Sequence, residues 1–515
     1  MENRKRNYDT YEYDDFKNAC INGQCEIVEN IIKNKRFKLH LSENYAIRIA
    51  SENGHTEIVR LLLNSGQVDP TACDNYAIRK ASENGHTGVV DLLLKLNKVD
   101  PAANDNYAIR VASINGHTSV VDLLLKLNKV DPATLDNYAF CVASERGHTG
   151  VVDLLLKSNK VDPAANDNYA ISIASTKGHV EIVRMLLESG KVDPSARNNE
   201  AIRYASQKDY AEIVRMLLES GKVDPAANDN EAIRMASLNG HTEIVRMLLA
   251  SGKVYPAACN NEAIRMASER GHTKIVRMLL ETRKVDPAAC NNYAIRLASE
   301  HGHTEIVQML LETGKVDPAA CNNNPIRQTT ARGHTEIVRM LLETGKVDPA
   351  ACNNGAIRYA SNNGHTEIVR MLLETGKVDP AACNNEAIRY ASYNGHTAIV
   401  QMLLDTGKTD PTACDNFAIG HALLNHHTVI VKRLMLYKRV RDSIPFTLLS
   451  GLVSECKKIF EQEIMEKYKE VVDRVYGNPN KNFVQDIYYL YTNIDPYMDE
   501  SYENRIRRFM NRGLL

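Results

Sequence analysis

The chain repeats one 31-residue unit twelve times over residues 44–415 without an insertion or deletion. A representative copy, NEAIRMASERGHTKIVRMLLETRKVDPAACN, runs from Asn261 to Asn291. Degenerate copies extend the register over residues 13–43 and 416–446. A fixed period of this length predicts a stacked array in which each unit buries its apolar face against its neighbours. We therefore expect one repetitive assembly rather than several independent globular domains, in spite of the length of 515 residues.

Apolar and small residues recur at helical spacing in two stretches of every unit, which predicts two short amphipathic helices. The predicted buried positions in the first full unit are Ala46, Ile47, Ala50 and Ser51 in the first helix, and Ile58, Val59, Leu62 and Leu63 in the second. Gly54 separates the two stretches and predicts a tight turn. Each unit is therefore expected to be a helix, a turn, a second helix and a connector.

The connector also carries recurring signals. Gly66 follows the second helix and favours the left-handed conformation of a helix C-terminus. We expect the same conformation at the residues that replace it in three units, Asn97, Asn128 and Asn159. Pro70 favours an extended exit from the helix. Asn44 and its equivalents are expected to act as N-caps of the next first helix.

The string GHTEIVRMLLETG resembles the second half of the ankyrin repeat, in which a Gly-His turn precedes an Ile-Val-x-x-Leu-Leu helix closed by Gly. The first half departs from the family pattern, because Glu-Ala-Ile-Arg-x-Ala-Ser replaces Thr-Pro-Leu-His-x-Ala-Ala. Asn324-Pro325-Ile326-Arg327 restores the proline in register. The unit is shorter than the usual length of about 33 residues, so we expect stunted or more open fingers. Short units ending in VDP are also similar to ankyrin proteins of giant DNA viruses.

The resemblance implies an all-α fold, namely an α-solenoid that forms a right-curved stack of about 14 helix-turn-helix units with reduced β-turn fingers. We expect an N-terminal tail over residues 1–12, a capping repeat over 13–43, twelve repeats over 44–415 and a second capping repeat over 416–446. Residues 447–515 lie beyond the period, and their apolar spacing predicts a C-terminal helical segment. This segment is either a cap on the last repeat or a separate docking module.

Composition and charge disfavour several classes of partner. The formal net charge is -1, so no bulk basic field attracts nucleic acid or an anionic membrane. The chain has no run of 18 apolar residues, and its first residues lack the apolar stretch of a signal peptide. We expect a monomeric, intracellular and cytoplasmic protein. Seven of the 11 cysteines share one repeat position, and neighbouring units are too far apart for disulfides between them, so we expect free thiols.

Two polar columns recur through the array. A histidine follows the glycine of the turn in eleven of the twelve repeats, at His55, His86, His117, His148, His179, His241, His272, His303, His334, His365 and His396. One histidine per unit cannot converge on a metal ion, so we expect these rings to brace the turns and expect no metal or cofactor. Tyr210 replaces His in one unit, where the turn is expected to differ.

An arginine occupies the first helix in ten of the twelve repeats, at Arg48, Arg79, Arg110, Arg203, Arg234, Arg265, Arg296, Arg327, Arg358 and Arg389. One interpretation is neutralisation within the same helix, because Glu262 and Glu269 flank Arg265 at helical spacing. The other is an Arg and Tyr ladder on the concave surface, where ankyrin proteins bind their partners. The two interpretations are compatible.

The positions that the period leaves free are the candidates for specificity. The column next to the arginines is largely apolar although it lies opposite the buried set, so it either packs against the neighbouring unit or lines a binding groove. Tyrosines cluster in its last repeats, and tyrosine is enriched in binding hot spots. The candidate partner-binding residues are Tyr204, Met235, Met266, Arg358, Tyr359, Arg389, Tyr390 and Tyr393.

No motif in the chain supports catalysis, since it lacks a Gly-rich phosphate loop and an HExxH helix, and the irregular units contain no recognisable nucleophile and base. We therefore predict a non-enzymatic scaffold that binds one or more proteins through the concave face. The alternative is an adaptor that recruits a second machine, such as a ubiquitin ligase, through its C-terminal helical segment.

Overall fold

The computed structural model of the chain describes residues 14–33 and 41–443. These residues form helices, turns and connectors without a β-strand among them. The predicted all-α solenoid is therefore confirmed. The N-terminal tail over residues 1–12 and the C-terminal helical segment over 447–515 lie outside the described residues.

The first helix of each repeat starts at a left-handed turn, and the helical bounds include that turn. These first helices are Leu41–Glu52, Ala72–Glu83, Ala103–Ile114, Thr134–Arg146, Ala165–Lys177, Ala196–Gln207, Ala227–Asn239, Ala258–Arg270, Ala289–His301, Ala320–Arg332, Ala351–Asn363, Ala382–Tyr393 and Ala413–Leu424.

The second helix begins directly after the Gly-His turn in nearly every repeat. These second helices are Thr56–Asn64, Thr87–Leu94, Thr118–Leu125, Thr149–Lys157, Val180–Glu188, Ala211–Glu219, Thr242–Ala250, Thr273–Glu281, Thr304–Glu312, Thr335–Glu343, Thr366–Glu374, Thr397–Asp405 and Thr428–Met435. Residues 14–22 and Cys25–Lys33 form the helices before the first full repeat, and Lys438–Ser443 forms the last one described.

The described residues form two compact units. Unit 1 contains the residues up to Ala267 together with Met278–Val285, and unit 2 contains Ser268–Arg277 and the residues from Asp286 onward. Within each unit, first helices pack on neighbouring first helices and second helices on neighbouring second helices.

The core consists of the predicted apolar columns. In the first full repeat, Ile47, Ala50, Ile58, Val59 and Leu62 are completely buried. Small residues in the first helix allow its backbone to approach the neighbouring helix closely. The prediction for Leu63 is only partly right, because this side chain is half-buried beside the connector.

A left-handed turn replaces the projecting finger of a longer repeat. In one repeat it consists of Cys73, Asp74 and Asn75, whose φ angles are 53°, 54° and 57°. Equivalent triplets precede the first helix in each later repeat. Asparagine and aspartate dominate the second and third positions because they adopt this conformation more easily than other L-residues. The prediction of reduced fingers is therefore confirmed. Pro325 follows one such turn and lies in the first helical turn, where a proline is tolerated.

The asparagine that ends this triplet does not cap its helix, so the N-cap prediction is wrong. Asn75 is itself left-handed, whereas an N-cap residue has an extended backbone. Its Oδ1 instead accepts a hydrogen bond from the backbone N of Asp100 at 2.8 Å. Asn44 and Asn354 accept equivalent bonds from Asp69 and Asp379, at 2.7 Å in both cases. These hydrogen bonds join the turn before each first helix to the connector that follows the second helix of the same repeat.

The end of the second helix depends on the residue before the glycine column. In most repeats that residue is Ser or Thr, and the Ser65 hydroxyl donates to Leu62 O at 2.6 Å while Gly66 adopts a φ of 68°. Leu96 and Leu127 lack this hydroxyl, and the helices before them end one residue earlier. Asn97 and Asn128 are not left-handed, so that prediction is wrong for them, whereas Asn159 is left-handed as expected.

The histidine column braces neighbouring repeats. His86 Nε2 donates to the backbone O of Glu52, 34 residues earlier, at 2.8 Å. The ring also covers the glycine of the preceding turn, because a Cβ added at Gly54 would lie 2.5 Å from His86 Nδ1. Tyr210 covers Gly178 in the same manner and its turn keeps the usual backbone bond, so the prediction of a different turn is wrong.

Candidate partner-binding surface

The arginine column binds the left-handed turns. Arg79 Nε donates to Asp74 O at 2.9 Å and Arg79 Nη2 donates to Cys73 O at 3.1 Å. All ten arginines donate to the carbonyl five residues before them. A turn that is expensive for L-residues is thereby closed by a cationic donor from its own repeat. The arginines therefore have a structural role in every repeat that carries one.

Some of these guanidinium groups also meet a glutamate of the next repeat. Arg203 pairs with Glu231 at 3.0 Å and Arg358 with Glu386 at 2.9 Å. Glu262 pairs in the same way with Arg234 of the preceding repeat. These pairs link successive first helices, because each glutamate follows its arginine by 28 residues.

Aromatic rings lie beside the guanidinium groups. In unit 1, the guanidinium carbon of Arg79 lies 5.9 Å from the ring centre of Tyr76 and 5.2 Å from that of Tyr107. In unit 2, Arg389 lies 5.6 Å from the ring of Tyr390 and 5.2 Å from that of Phe417. Such distances allow cation–π contact. The Arg and Tyr ladder is thus present as a set of intramolecular contacts.

Unit 2 contains three exposed tyrosines on its first helices. Tyr359, Tyr390 and Tyr393 are exposed by 41%, 36% and 41%. Tyr393 lies 5.3 Å from the His421 ring, and Tyr390 lies 5.8 Å from the Phe417 ring. We call Tyr390, Tyr393, Phe417 and His421 the aromatic cluster. Large rings that remain partly exposed on a firmly packed first-helix face are suited to anchoring a partner.

Phe417 and His421 complete the cluster, although neither was among the candidate binding residues predicted from the sequence. They occupy the Tyr76 and Tyr390 columns of the repeat that was interpreted only as a cap. Gly420 stands in the arginine column of that repeat, so no guanidinium from its own helix covers the two rings. Column alignment extended into this repeat would have identified both residues.

The remaining predicted site residues belong to unit 1. Tyr204, Met235 and Met266 occupy the same column in three successive repeats and are half-buried. Arg203 lies 5.5 Å from the Tyr204 ring. Arg358, Tyr359, Arg389, Tyr390 and Tyr393 all belong to unit 2.

The family model for ankyrin repeats, described as three copies, matches this repetitive architecture throughout. Its matches cover residues 16–105, 78–167, 108–198, 140–229, 233–322, 295–382, 326–415 and 357–443. The chain belongs to the ankyrin-repeat family. No curated protein matches the sequence. Ankyrin repeats are generally protein–protein interaction modules, and that coarse role applies to this chain.

Within residues 14–33 and 41–443, no group of three or more His, Cys, Asp or Glu side chains is arranged to hold a metal ion. The ten cysteines of this part of the chain are free. Burial raises the pKa of the Cys20 thiol to about 12 and also raises the pKa of Cys141, so both remain protonated at neutral pH. None of the described helices is long and apolar enough to cross a membrane.

Two successive ankyrin repeats lack the column arginine, because Cys141 and Ser172 replace it. Their left-handed turns are retained, and donors from the following repeat bind the exposed carbonyls. Arg197 donates to Asn166 O at 2.8 Å and to Asp167 O at 3.2 Å, the two carbonyls that an arginine at position 172 would reach. Asn166 Nδ2 donates to Asp136 O at 3.3 Å in the preceding turn. These compensating bonds could not be predicted from helical spacing, because donor and acceptor lie 30 residues apart.

In several repeats the asparagine directly before the Gly-His turn also has a structural role. Asn84 Nδ2 donates to Glu52 O at 2.8 Å, the same carbonyl that His86 binds. Asn394 binds Asn362 O at 2.9 Å in the same arrangement. This asparagine therefore braces neighbouring repeats, whereas the side chain before it is exposed in the case of Tyr393.

Proposed function

We propose that this ankyrin-repeat chain is a non-enzymatic scaffold that binds a partner protein through the exposed face of its first helices, with the aromatic cluster as the energetic centre. The observation that supports this proposal is the pair of partly exposed rings Tyr390 and Tyr393 beside Phe417 and His421, with Tyr359 exposed in the preceding repeat. The backbone below them is held by interrepeat bonds from His396 and Asn394, so the rings need little ordering on binding.

The chemistry of the cluster favours a partner segment with an apolar anchor. Tyrosine and phenylalanine rings offer apolar area, and the tyrosine hydroxyls at their rims form hydrogen bonds with polar groups around the anchor. The guanidinium of Arg389 is already bound to Asn384 O at 3.0 Å and Cys383 O at 3.4 Å. It therefore positions the rings rather than serving as an unengaged cation for the partner.

We propose that the chain is an intracellular, cytoplasmic and monomeric protein. The free thiols of Cys259, Cys290, Cys321, Cys352 and Cys383 support a reducing compartment, because all five are exposed. The balanced net charge of -1 supports a protein partner over nucleic acid. The adaptor alternative depends on residues 447–515, outside the described part, and remains a prediction.

The test replaces Tyr359, Tyr390 and Tyr393 by alanine in the full chain. Proteins captured by the unmodified chain are identified, and their affinity for the variant is measured directly. We expect a loss of about tenfold or more, because tyrosine hot spots contribute about 2 kcal/mol or more. Unchanged affinity for every captured protein would place the binding centre elsewhere.

The matched control is Tyr255→Ala, since Tyr255 is 58% exposed but lies in a connector away from the first-helix face. This variant should bind like the unmodified chain. Circular dichroism confirms that both variants keep their helices. A chain truncated after residue 446 tests the adaptor alternative. If that alternative is right, the truncated chain no longer captures the proteins that residues 447–515 recruit.

A further inference from the structure

A surface depression of about 550 Å³ lies in unit 1 where the arginine column is interrupted. Its lining includes Tyr138, Cys141, Glu145, Asn166, Tyr169 and Arg197. It lies beside Cys141, which replaces the long column arginine with a short side chain. The depression therefore lies next to the position from which an arginine extends in ten other repeats.

Those ten repeats show which chemical group this space accommodates. Arg79 donates to two carbonyls of its left-handed turn and lies beside the tyrosine three residues before it and the tyrosine 28 residues after it. The equivalents for position 141 are Tyr138 and Tyr169, and both line the depression. The turn before them is intact, since Leu135, Asp136 and Asn137 have φ angles of 57°, 54° and 59°. The left-handed turn and the two tyrosine rings are thus present without the arginine, while Asp136 O already accepts one hydrogen bond from Asn166 Nδ2 and keeps a second lone pair.

The donors that compensate for the lost arginines do not reproduce this site equally. Arg197 supplies a guanidinium to the carbonyls of Asn166 and Asp167, in the turn that precedes Ser172. The turn that precedes Cys141 receives the uncharged amide of Asn166, with a distance of 3.3 Å to Asp136 O. The turn before Ser172 therefore has a charged donor, whereas the turn before Cys141 has a neutral one.

The local charges favour a cation in the depression. Glu145 is half-buried there, and its Oε2 accepts a hydrogen bond from the Tyr169 hydroxyl at 3.3 Å. Asp167 adds a second carboxylate to the lining. The one cation of the lining, Arg197, lies 5.1 Å from the Tyr169 ring centre and is engaged with backbone carbonyls. The formal charge of the lining is therefore negative by one unit, counting Glu145 and Asp167 against Arg197.

We propose that this depression receives an arginine side chain of a bound partner protein. The guanidinium donates to the carbonyls of the turn at Leu135 and Asp136, lies between the rings of Tyr138 and Tyr169, and faces Glu145. Arginine fits better than lysine because its planar fork donates two hydrogen bonds at once and stacks on aromatic rings. The site rests on the proposed function, because its occupant belongs to the partner protein of that scaffold. Its affinity for arginine can nevertheless be measured without any partner.

The test uses the full chain labelled with 3-fluorotyrosine, and the Tyr138 and Tyr169 signals are assigned with Tyr138→Phe and Tyr169→Phe. The probe is N-acetyl-arginine amide, compared with the neutral N-acetyl-citrulline amide of the same shape. We expect saturable fluorine shifts of both tyrosines with the arginine probe. The citrulline amide should bind about tenfold more weakly, because the positive charge is lost. A third probe, N-acetyl-lysine amide, should also bind about tenfold more weakly, because it lacks the planar fork.

Two substitutions at one position make the test specific. Cys141→Arg should fill the depression with the side chain that other repeats carry, so the shifts should disappear while the helical circular dichroism is retained. Cys141→Ala leaves the depression open and should preserve binding. Equal binding of arginine and citrulline, or persistent binding to Cys141→Arg, would overturn the proposal. Failure of the aromatic-cluster test would leave this result unaffected, since no partner is present.

Discussion

A residue with positive φ follows the second helix in most repeats, and the side chain at that position determines its conformational cost. Gly66 and Gly376 have φ angles of 68° and 66°, and no atom would contact a Cβ added at either position. Arg283 occupies the same column with a φ of 57°. A left-handed conformation costs an ordinary L-residue about 1–2 kcal/mol, so the arginine destabilises its repeat.

We predict that Arg283→Gly raises the free energy of unfolding by about 1 kcal/mol, measured by urea denaturation. The matched control is Asn97→Gly in the same column, because Asn97 is not left-handed in the structure. That change should give no gain and a small loss from greater freedom in the unfolded chain. If both substitutions stabilise equally, the explanation by φ is wrong.

At the scale of one element, the connector depends on a short hydrogen-bonded turn. Asp193 Oδ1 accepts bonds from the Ser195 hydroxyl at 2.6 Å and from Ser195 N at 2.9 Å. The hydroxyl and then the backbone bond lower the pKa of Asp193 below its usual value. Because the folded pKa lies below the unfolded value, the carboxylate stabilises the fold above about pH 4, and this contribution is lost as pH falls through the folded pKa.

We predict that Ser195→Ala raises the pKa of Asp193 toward its ordinary value, measured by carbon NMR titration of the carboxyl group. Ser195→Thr should keep the pKa low, because Thr412 makes the same two bonds to Asp410, whose pKa is also lowered. An unchanged pKa in the alanine variant would show that the hydroxyl is not its principal cause.

At the scale of the whole molecule, the contacts between repeats recur with the same period as the sequence. His334 binds Glu300 O and His365 binds Ala331 O, at 3.0 and 3.1 Å. Each histidine reaches only into the preceding repeat, so stability should behave as a sum of repeat and nearest-neighbour terms. Removing one full period should present His365 with the carbonyl that His334 normally binds.

We predict that deletion of residues 323–353 leaves the helical circular dichroism per residue unchanged and lowers the melting temperature by only a few degrees. Deletion of the half period 323–338 should instead cause a marked loss of helix, because it breaks the register of every column. Equal losses from the two deletions would contradict a nearest-neighbour array.

The 31-residue period by itself determined the paired helices, the buried columns and the reduced finger, because one apolar pattern must match its neighbours at every step. Only the tertiary structure decided the roles of the polar side chains, because their partners are distant in sequence or have unusual backbone angles. Arg79 binds carbonyls of a left-handed turn, and Arg197 reaches carbonyls 30 and 31 residues away. Helical spacing cannot reveal either bond, so only the structure showed the structural role of the arginine column, and an interrupted repeat carries the proposed arginine site.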